Sequence, residues 1–178
     1  NRLKNNRFKI LYLLGVDNLK LNKKNEFIVY QGSHGDKGAE IADIIFPGAA
    51  YTEKSGLFIN TEGRLQRSYK ASYPPGEAKE DWLIIKEIAK KMGKALSFED
   101  NRGLSKKIFQ SIKDFNKIGD LPLTNKEKIN TKKVSFKEGE INIDKIDYYY
   151  SNTIARASKT MMECREVSNK ILLTGTEG

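Results

Sequence analysis

Gly32, Gly35 and Gly38 recur at intervals of three in a segment that also holds His34 and Asp36. Two chemistries suit such a loop. Backbone amides left open by glycines can cradle a phosphate or another anion, provided a helix begins there and aims its amides at the ligand. His34 beside Asp36 could form an acid–base pair. The glycine spacing fits neither the dinucleotide fingerprint nor the P-loop. Glycines so placed equally mark a tight turn or a close approach of backbone to a neighbouring segment. Gly32, His34, Gly35, Asp36 and Gly38 are therefore candidate cofactor-binding residues, and no catalytic or metal-binding residue is assigned.

Other chemistry is limited by residue supply. Cys164 is the only cysteine and His34 the only histidine. An iron–sulfur cluster needs about four thiolates, and structural zinc sites are built from several Cys and His, so neither arises from this chain alone. Met161, Met162 and Cys164 fall on one helical stretch, where soft side chains fill cores or interfaces, and Cys164 is expected to be buried or half-buried. Glu53, Glu62, Arg64 and Arg67 could bind a ligand around a hairpin; the structural reading has Glu62 and Arg64 fixing the turn by ion pairing. Tyr148–Tyr150 could dock on the domain or on a partner, tyrosine being enriched at interfaces.

The elements that must position these residues read as α/β. Phe8–Leu14 and Phe27–Tyr30 are nearly continuous apolar runs, each followed by a glycine-bearing loop. Such runs suit strands buried on both faces of a parallel sheet. A helical turn is expected at 39–42, a third strand at 43–46, and a hairpin pairing 57–59 with 65–69 about the turn Asn60–Gly63. After Pro74-Pro75-Gly76, a helix carries Trp82, Ile85, Ile88, Ala89 and Met92 on one face, with Glu77, Glu80 and Asp81 at its start and Lys90, Lys91 and Gly93 at its end. A second helix fits 105–116 with Ile108, Ile112 and Phe115 on one stripe. A weak hairpin fits 134–143. Ser151 caps a last helix bearing Ile154, Ala157, Met161 and Cys164, and residues 172–178 fray.

The net charge of +9 sits largely at one end: residues 1–30 hold 7 basic against 2 acidic side chains, whereas residues 120–178 hold 10 against 9. A nucleic-acid footprint would be a concentrated stripe, so no nucleic acid is expected as partner. No apolar run approaches the roughly 20 residues of a membrane span, so no direct membrane insertion is expected either. The sequence starts at Asn1 rather than Met, which suggests processing or a fragment of a longer chain.

Residues 30–64 carry Ala42-Asp43, Pro47-Gly48-Ala49, Glu53-Lys54-Ser55-Gly56 and Asn60-Thr61-Glu62-Gly63-Arg64 in order. This series resembles the molybdopterin oxidoreductases, and His34–Gly38 with Ala49-Ala50-Tyr51-Thr52-Glu53 narrows the resemblance to the large iron–sulfur subunit of respiratory complex I. Asp147–Cys164 is similar to the C-terminal end of the mitochondrial-type subunit, and Pro75-Gly76 through Trp82 also agrees. Residues 94–146 match loosely.

The resemblance implies a Rossmann-like portion of a molybdopterin-oxidoreductase-type domain at 1–95, followed by a partly helical C-terminal extension at 96–178. It implies a scaffold region of an NADH–quinone oxidoreductase subunit, within an enzyme that passes electrons from NADH through FMN and iron–sulfur clusters to quinone. The chain itself is expected to hold no cofactor. The 2Fe–2S and 4Fe–4S clusters would belong to residues upstream, and no molybdenum is expected. Implied partners are the other peripheral-arm subunits. Implied location is peripheral, on the cytoplasmic side of a bacterial inner membrane or the matrix side in mitochondria. The rival readings are the tail of an active molybdopterin enzyme, from which the chain departs by lacking the large cofactor-binding domain expected after the hairpin, and a stand-alone interaction protein.

Overall fold

In the computed structural model, which describes residues 8–19, 21–112, 117–121, 139 and 147–173, the first two apolar runs pair as parallel strands. The chain divides into two compact units, Asn1–Gly48 with Asn142–Gly178, and Ala49–Ile141. The first unit holds a three-stranded sheet of order β1 (Ile10–Leu14), β2 (Phe27–Gly32), β3 (Ile44–Pro47), parallel throughout. Leu11 sits opposite Ile28, and Val29 opposite Ile44. Residues 33–43 return the chain from β2 to β3 through a single turn of helix, α1 (Lys37–Glu40). That turn begins two residues ahead of the expected 39–42.

The inner face of the sheet supplies the core: Leu13, Ile28 and Tyr30, with Leu11, Leu19, Leu21, Ala39, Ile41 and Ala42 packed against them. β2 is central and buried from Ile28 to Gln31, as its apolar run implies. β1 corrects the expectation of burial on both faces. As an edge strand it turns only Leu11 and Leu13 toward the core, leaving Ile10 67% and Leu14 48% exposed.

The same unit contains the C-terminal helices. A 3-10 turn at Tyr148–Tyr150 leads to α4 (Thr153–Ala157) and α5 (Lys159–Leu173). Asn152, not Ser151, caps α4 through the amide of Ala155 at 2.9 Å. The expected single helix is broken at Ser158, whose extended backbone ends α4 and whose hydroxyl accepts from Met161 N at 3.3 Å. Cys164 is exposed, contrary to the expected burial, on a helix that buries none of its described side chains. Leu172 and Leu173 continue α5, and the rest of the tail lies outside the described residues.

In the second unit, β4 (Gly56–Ile59) and β5 (Leu65–Ser68) form the expected antiparallel hairpin. The Asn60 side-chain oxygen accepts from Glu62 N (3.1 Å) and Arg64 N (2.9 Å), which closes the turn. Helix α2 (Asp81–Lys91) starts after the proline break and ends with Gly93 at φ +74. There Lys94 N bonds the Ala89 carbonyl and Gly93 N that of Lys90, the paired bonds of a Schellman stop. Its buried residue is Ile84; Ile85 is 40% and Met92 75% exposed, a correction to the expected stripe. Trp82 instead leans on Phe98, their rings 6.1 Å apart.

Helix α3 (Asn101–Ser111) starts four residues before the expected 105 because Asp100 caps it, accepting from Gly103 N at 2.6 Å. Phe115 and, apart from Gly139, the hairpin expected at 134–143 lie outside the described residues. No helix among the described residues is long and apolar enough to cross a membrane. Truncating Ile84 to Ala should cost roughly 2–4 kcal/mol by transfer and cavity terms. The same change at exposed Ile85 should stay within about 0.5 kcal/mol. Urea unfolding of the two variants checks the phase of α2.

Candidate functional site

Tyr30 projects from the buried centre of β2 beneath the glycine loop. Its hydroxyl lies within hydrogen-bond reach of the Asp17 carboxylate and of the His34 carbonyl, the latter at 2.7 Å. Both partners accept, so the phenol must keep its proton. Burial first, then the hydrogen bond and charge of Asp17, push its ionisation far above the ordinary tyrosine value of 10.0.

The ring explains two of the three glycines. A Cβ at Gly32 would fall 2.3 Å from the Tyr30 hydroxyl oxygen. One at Gly38 would fall 2.3 Å from the Val16 carbonyl and 3.2 Å from the Tyr30 ring. Gly35 differs, since a Cβ there would meet only Ala39 at an ordinary 3.7 Å. Close approach, and not chain reversal, is the local requirement at Gly32 and Gly38.

The amides at the start of α1 are all engaged within the chain. Lys37 N donates to the Asp36 carboxylate (2.9 Å), Gly38 N to the Asp17 carbonyl (2.9 Å), and Ala39 N and Glu40 N to the Asp36 carbonyl (2.8 and 3.0 Å). A phosphate seeking these amides would have to displace Asp36. A pterin-type pyrophosphate does not fit this arrangement. His34 Nδ1 lies 3.0 Å from the Ser33 hydroxyl. Among the described residues no hydrogen bond joins His34 and Asp36, the pair expected as acid and base; Asp36 turns to Arg156 instead.

That contact joins the loop to the C-terminal helices across 120 residues of sequence. Arg156 Nε lies 2.5 Å from Asp36 Oδ2, with the two side chains 19% and 17% exposed, and a second guanidinium nitrogen donates to the Tyr150 carbonyl at 3.1 Å. Desolvation raises the pKa of Asp36, but the Arg156 hydrogen bond and the Lys37 amide outweigh it and hold the carboxyl below its ordinary 3.8. Next to it, Arg165 pairs with Asp147 at 2.5 Å and stacks its guanidinium 4.7 Å from the centre of the Tyr150 ring. Sequence reasoning missed Asp17, Arg156 and Arg165. Their only signal was the membership of Arg156 in the quoted segment Asp147–Cys164, because ion pairs this far apart leave no local pattern.

The remaining candidates lie in the second unit. Glu53 accepts from Ala50 N at 2.9 Å and so closes a local turn. Glu62 and Arg64 stand 3.7 Å apart at the hairpin, and Arg64 also donates to the Gly119 carbonyl at 2.6 Å. Arg67 faces an open groove. Among the described residues no group of three or more His, Cys, Asp or Glu side chains could hold a metal ion.

A parallel αβ sheet with a glycine loop at the C-terminal end of its central strand defines the class of protein to which comparison then adds a family. Residues 1–91 match the family model described as molybdopterin oxidoreductase. The chain belongs to the molybdopterin oxidoreductase family. It is 39% identical over 165 residues to the NADH-ubiquinone oxidoreductase 75 kDa subunit of Reclinomonas americana, covering 88% of this chain and 23% of that protein. It is 40% identical over 173 residues to the mitochondrial NADH-ubiquinone oxidoreductase 78 kDa subunit of Candida albicans, with the same coverage, 88% and 23%. It is 41% identical over 172 residues to an NADH-quinone oxidoreductase subunit of Rickettsia bellii, covering 94% and 25%. The chain thus spans about a quarter of the length of these curated relatives.

Adding a methyl group at Gly38 should destabilise by roughly 1–3 kcal/mol through forced displacement of close-packed backbone. Gly35→Ala should change stability by less than about 1 kcal/mol, and thermal unfolding separates the two. Arg156→Met should cost roughly 1–2 kcal/mol, between the values for exposed ion pairs and charged hydrogen bonds. Since Asp36 binds its proton more weakly folded than unfolded, its contribution is complete above about pH 4 and is lost as the pH falls through its lowered pKa. Asp36→Asn should flatten that acid limb, measured by urea midpoints at successive pH values.

Proposed function

We propose that this chain is the C-terminal scaffold region of the large iron–sulfur subunit of a proton-translocating NADH–quinone oxidoreductase, with residues 1–95 completing a Rossmann-like molybdopterin-oxidoreductase-type domain and residues 96–178 extending it. The observation that carries this is the identity of 39–41% over 88–94% of the chain to NADH-ubiquinone and NADH-quinone oxidoreductase subunits. In this reading the whole enzyme moves electrons from NADH through FMN and iron–sulfur clusters to quinone. The 2Fe–2S and 4Fe–4S clusters are held by residues upstream, and molybdenum is absent. The chain touches other peripheral-arm subunits and no nucleic acid, peripherally on the cytoplasmic face of a bacterial inner membrane or the matrix face in mitochondria.

Two features of the chain support a scaffold role. The glycine loop is closed over Tyr30 and fastened by Asp36 to Arg156, so its residues serve packing. The sheet presents Ile10, Leu14, Phe27, Ile44 and Ile45 at 41–67% exposure, apolar side chains suited to burial against other protein. Affinity capture of the full-length subunit should bring down respiratory subunits with iron and no stoichiometric molybdenum. Capture without them, or molybdenum at one per chain, overturns the reading; molybdenum would point instead to an active pterin enzyme.

A further inference from the structure

A groove of about 670 Å³ is lined by Arg67 of β5 and by Asp100, Arg102, Lys106, Phe109 and Gln110 of the α3 region. Arg67 and Phe109 are half-buried, while Arg102 and Lys106 are exposed. Among the described residues, none of the three cationic side chains has an ion pair or hydrogen bond. Lys54, Lys79 and Lys86 of the same unit are each paired with a carboxylate. The groove's own acid, Asp100, is engaged by Gly103 N.

Helix stability does not account for this charge. Arg102 lies in the first turn of α3, which has no acidic residue. A cation there opposes the helix dipole. Arg102 adds to the positive end of the helix, which the Asp100 carboxylate partly offsets, while Arg67 and Lys106 bring two further charges to the groove that holds the half-buried Phe109 ring. An open trough with an aromatic contact suits an extended segment better than a compact anion. One half-buried ring is a poor stacking platform, unlike the successive aromatics that carry single-stranded nucleic acid.

We propose that this groove docks an acidic segment of a neighbouring subunit, its carboxylates meeting Arg67, Arg102 and Lys106 and an apolar side chain meeting Phe109. This rests on the scaffold reading and names the chemistry of one of its contacts. The test places a photoreactive phenylalanine analogue at Gln110 of the full-length subunit in the assembled complex, and sequences the crosslinked peptide by mass spectrometry. The expected product is a carboxylate-rich peptide of another chain. Its yield should fall about tenfold in R67E/R102E, as for truncated interface charge pairs, and be retained in R67K/R102K with assembly unchanged. Raising salt toward about 1 M, where charges are screened beyond about 3 Å, should also lower it.

A neutral or basic peptide, a second copy of this chain, nucleic acid or lipid as the product overturns the proposal. So does an absent crosslink while other subunits still copurify. If no subunit copurifies at all, the scaffold reading falls first and this proposal with it.

Discussion

One tyrosine side chain sets the geometry of the first unit. Tyr30 stands on the central strand, so its ring occupies the space over which the loop after β2 must close. Its hydroxyl then meets two acceptors contributed by different segments, Asp17 after β1 and the His34 carbonyl in the loop itself. A buried phenol without partners would cost about 1–3 kcal/mol, so these segments must converge on it. Gly32 and Gly38 are glycine because the converging backbone leaves no room for a methyl group. The glycine spacing of three is a consequence of packing about one ring.

The family signature has the same character throughout. Asp43, the acid of Ala42-Asp43, accepts from Ile28 N at 2.8 Å while pairing with Lys23 at 2.6 Å, and so ties β3's entry to the start of β2. Its carboxyl is held below the ordinary 3.8 by the Ile28 amide and then by Lys23. Lys54 pairs with Asp81, and the Ser55 carbonyl accepts from the Asn101 side chain at 2.9 Å. Asn60 closes the hairpin. These residues are read easily as a family pattern and poorly as chemistry, because each acts on backbone groups or on a charge far away in sequence.

What was legible followed local rules. The strands came from continuous apolar runs, the hairpin from Asn60–Gly63, and the end of α2 from Lys90, Lys91 and Gly93. The phase of α2 did not. Ile84 and Ile85 are adjacent and equally apolar, and 3.6-residue periodicity tolerates either on a short helix. Tertiary packing selected Ile84. The break at Ser158 was invisible for a related reason: Thr153–Leu173 has continuous helical character, and only the side-chain cap on Met161 N marks the restart. Burial of β1 was overestimated because composition reports that a strand is apolar, while its place at a sheet edge is a topological fact.

That overestimate carries information about what the chain is for. An apolar strand face is selected for burial, since each Å² of apolar surface removed from water is worth about 25 cal/mol. Ile10, Leu14 and Phe27 forgo this within the described residues, at 67%, 48% and 45% exposure. Meanwhile the polar fastenings, buried Tyr30 with Asp17 and half-buried Arg156 with Asp36, bind remote segments together. Specific polar joints combined with an uncovered apolar edge suit a piece whose remote segments are tied together within itself while its edge stays open to other protein. Such a piece loses little further conformational entropy when protein packs against it. The scaffold reading proposed above calls for such preorganisation, and the loop contributes to it through packing about Tyr30.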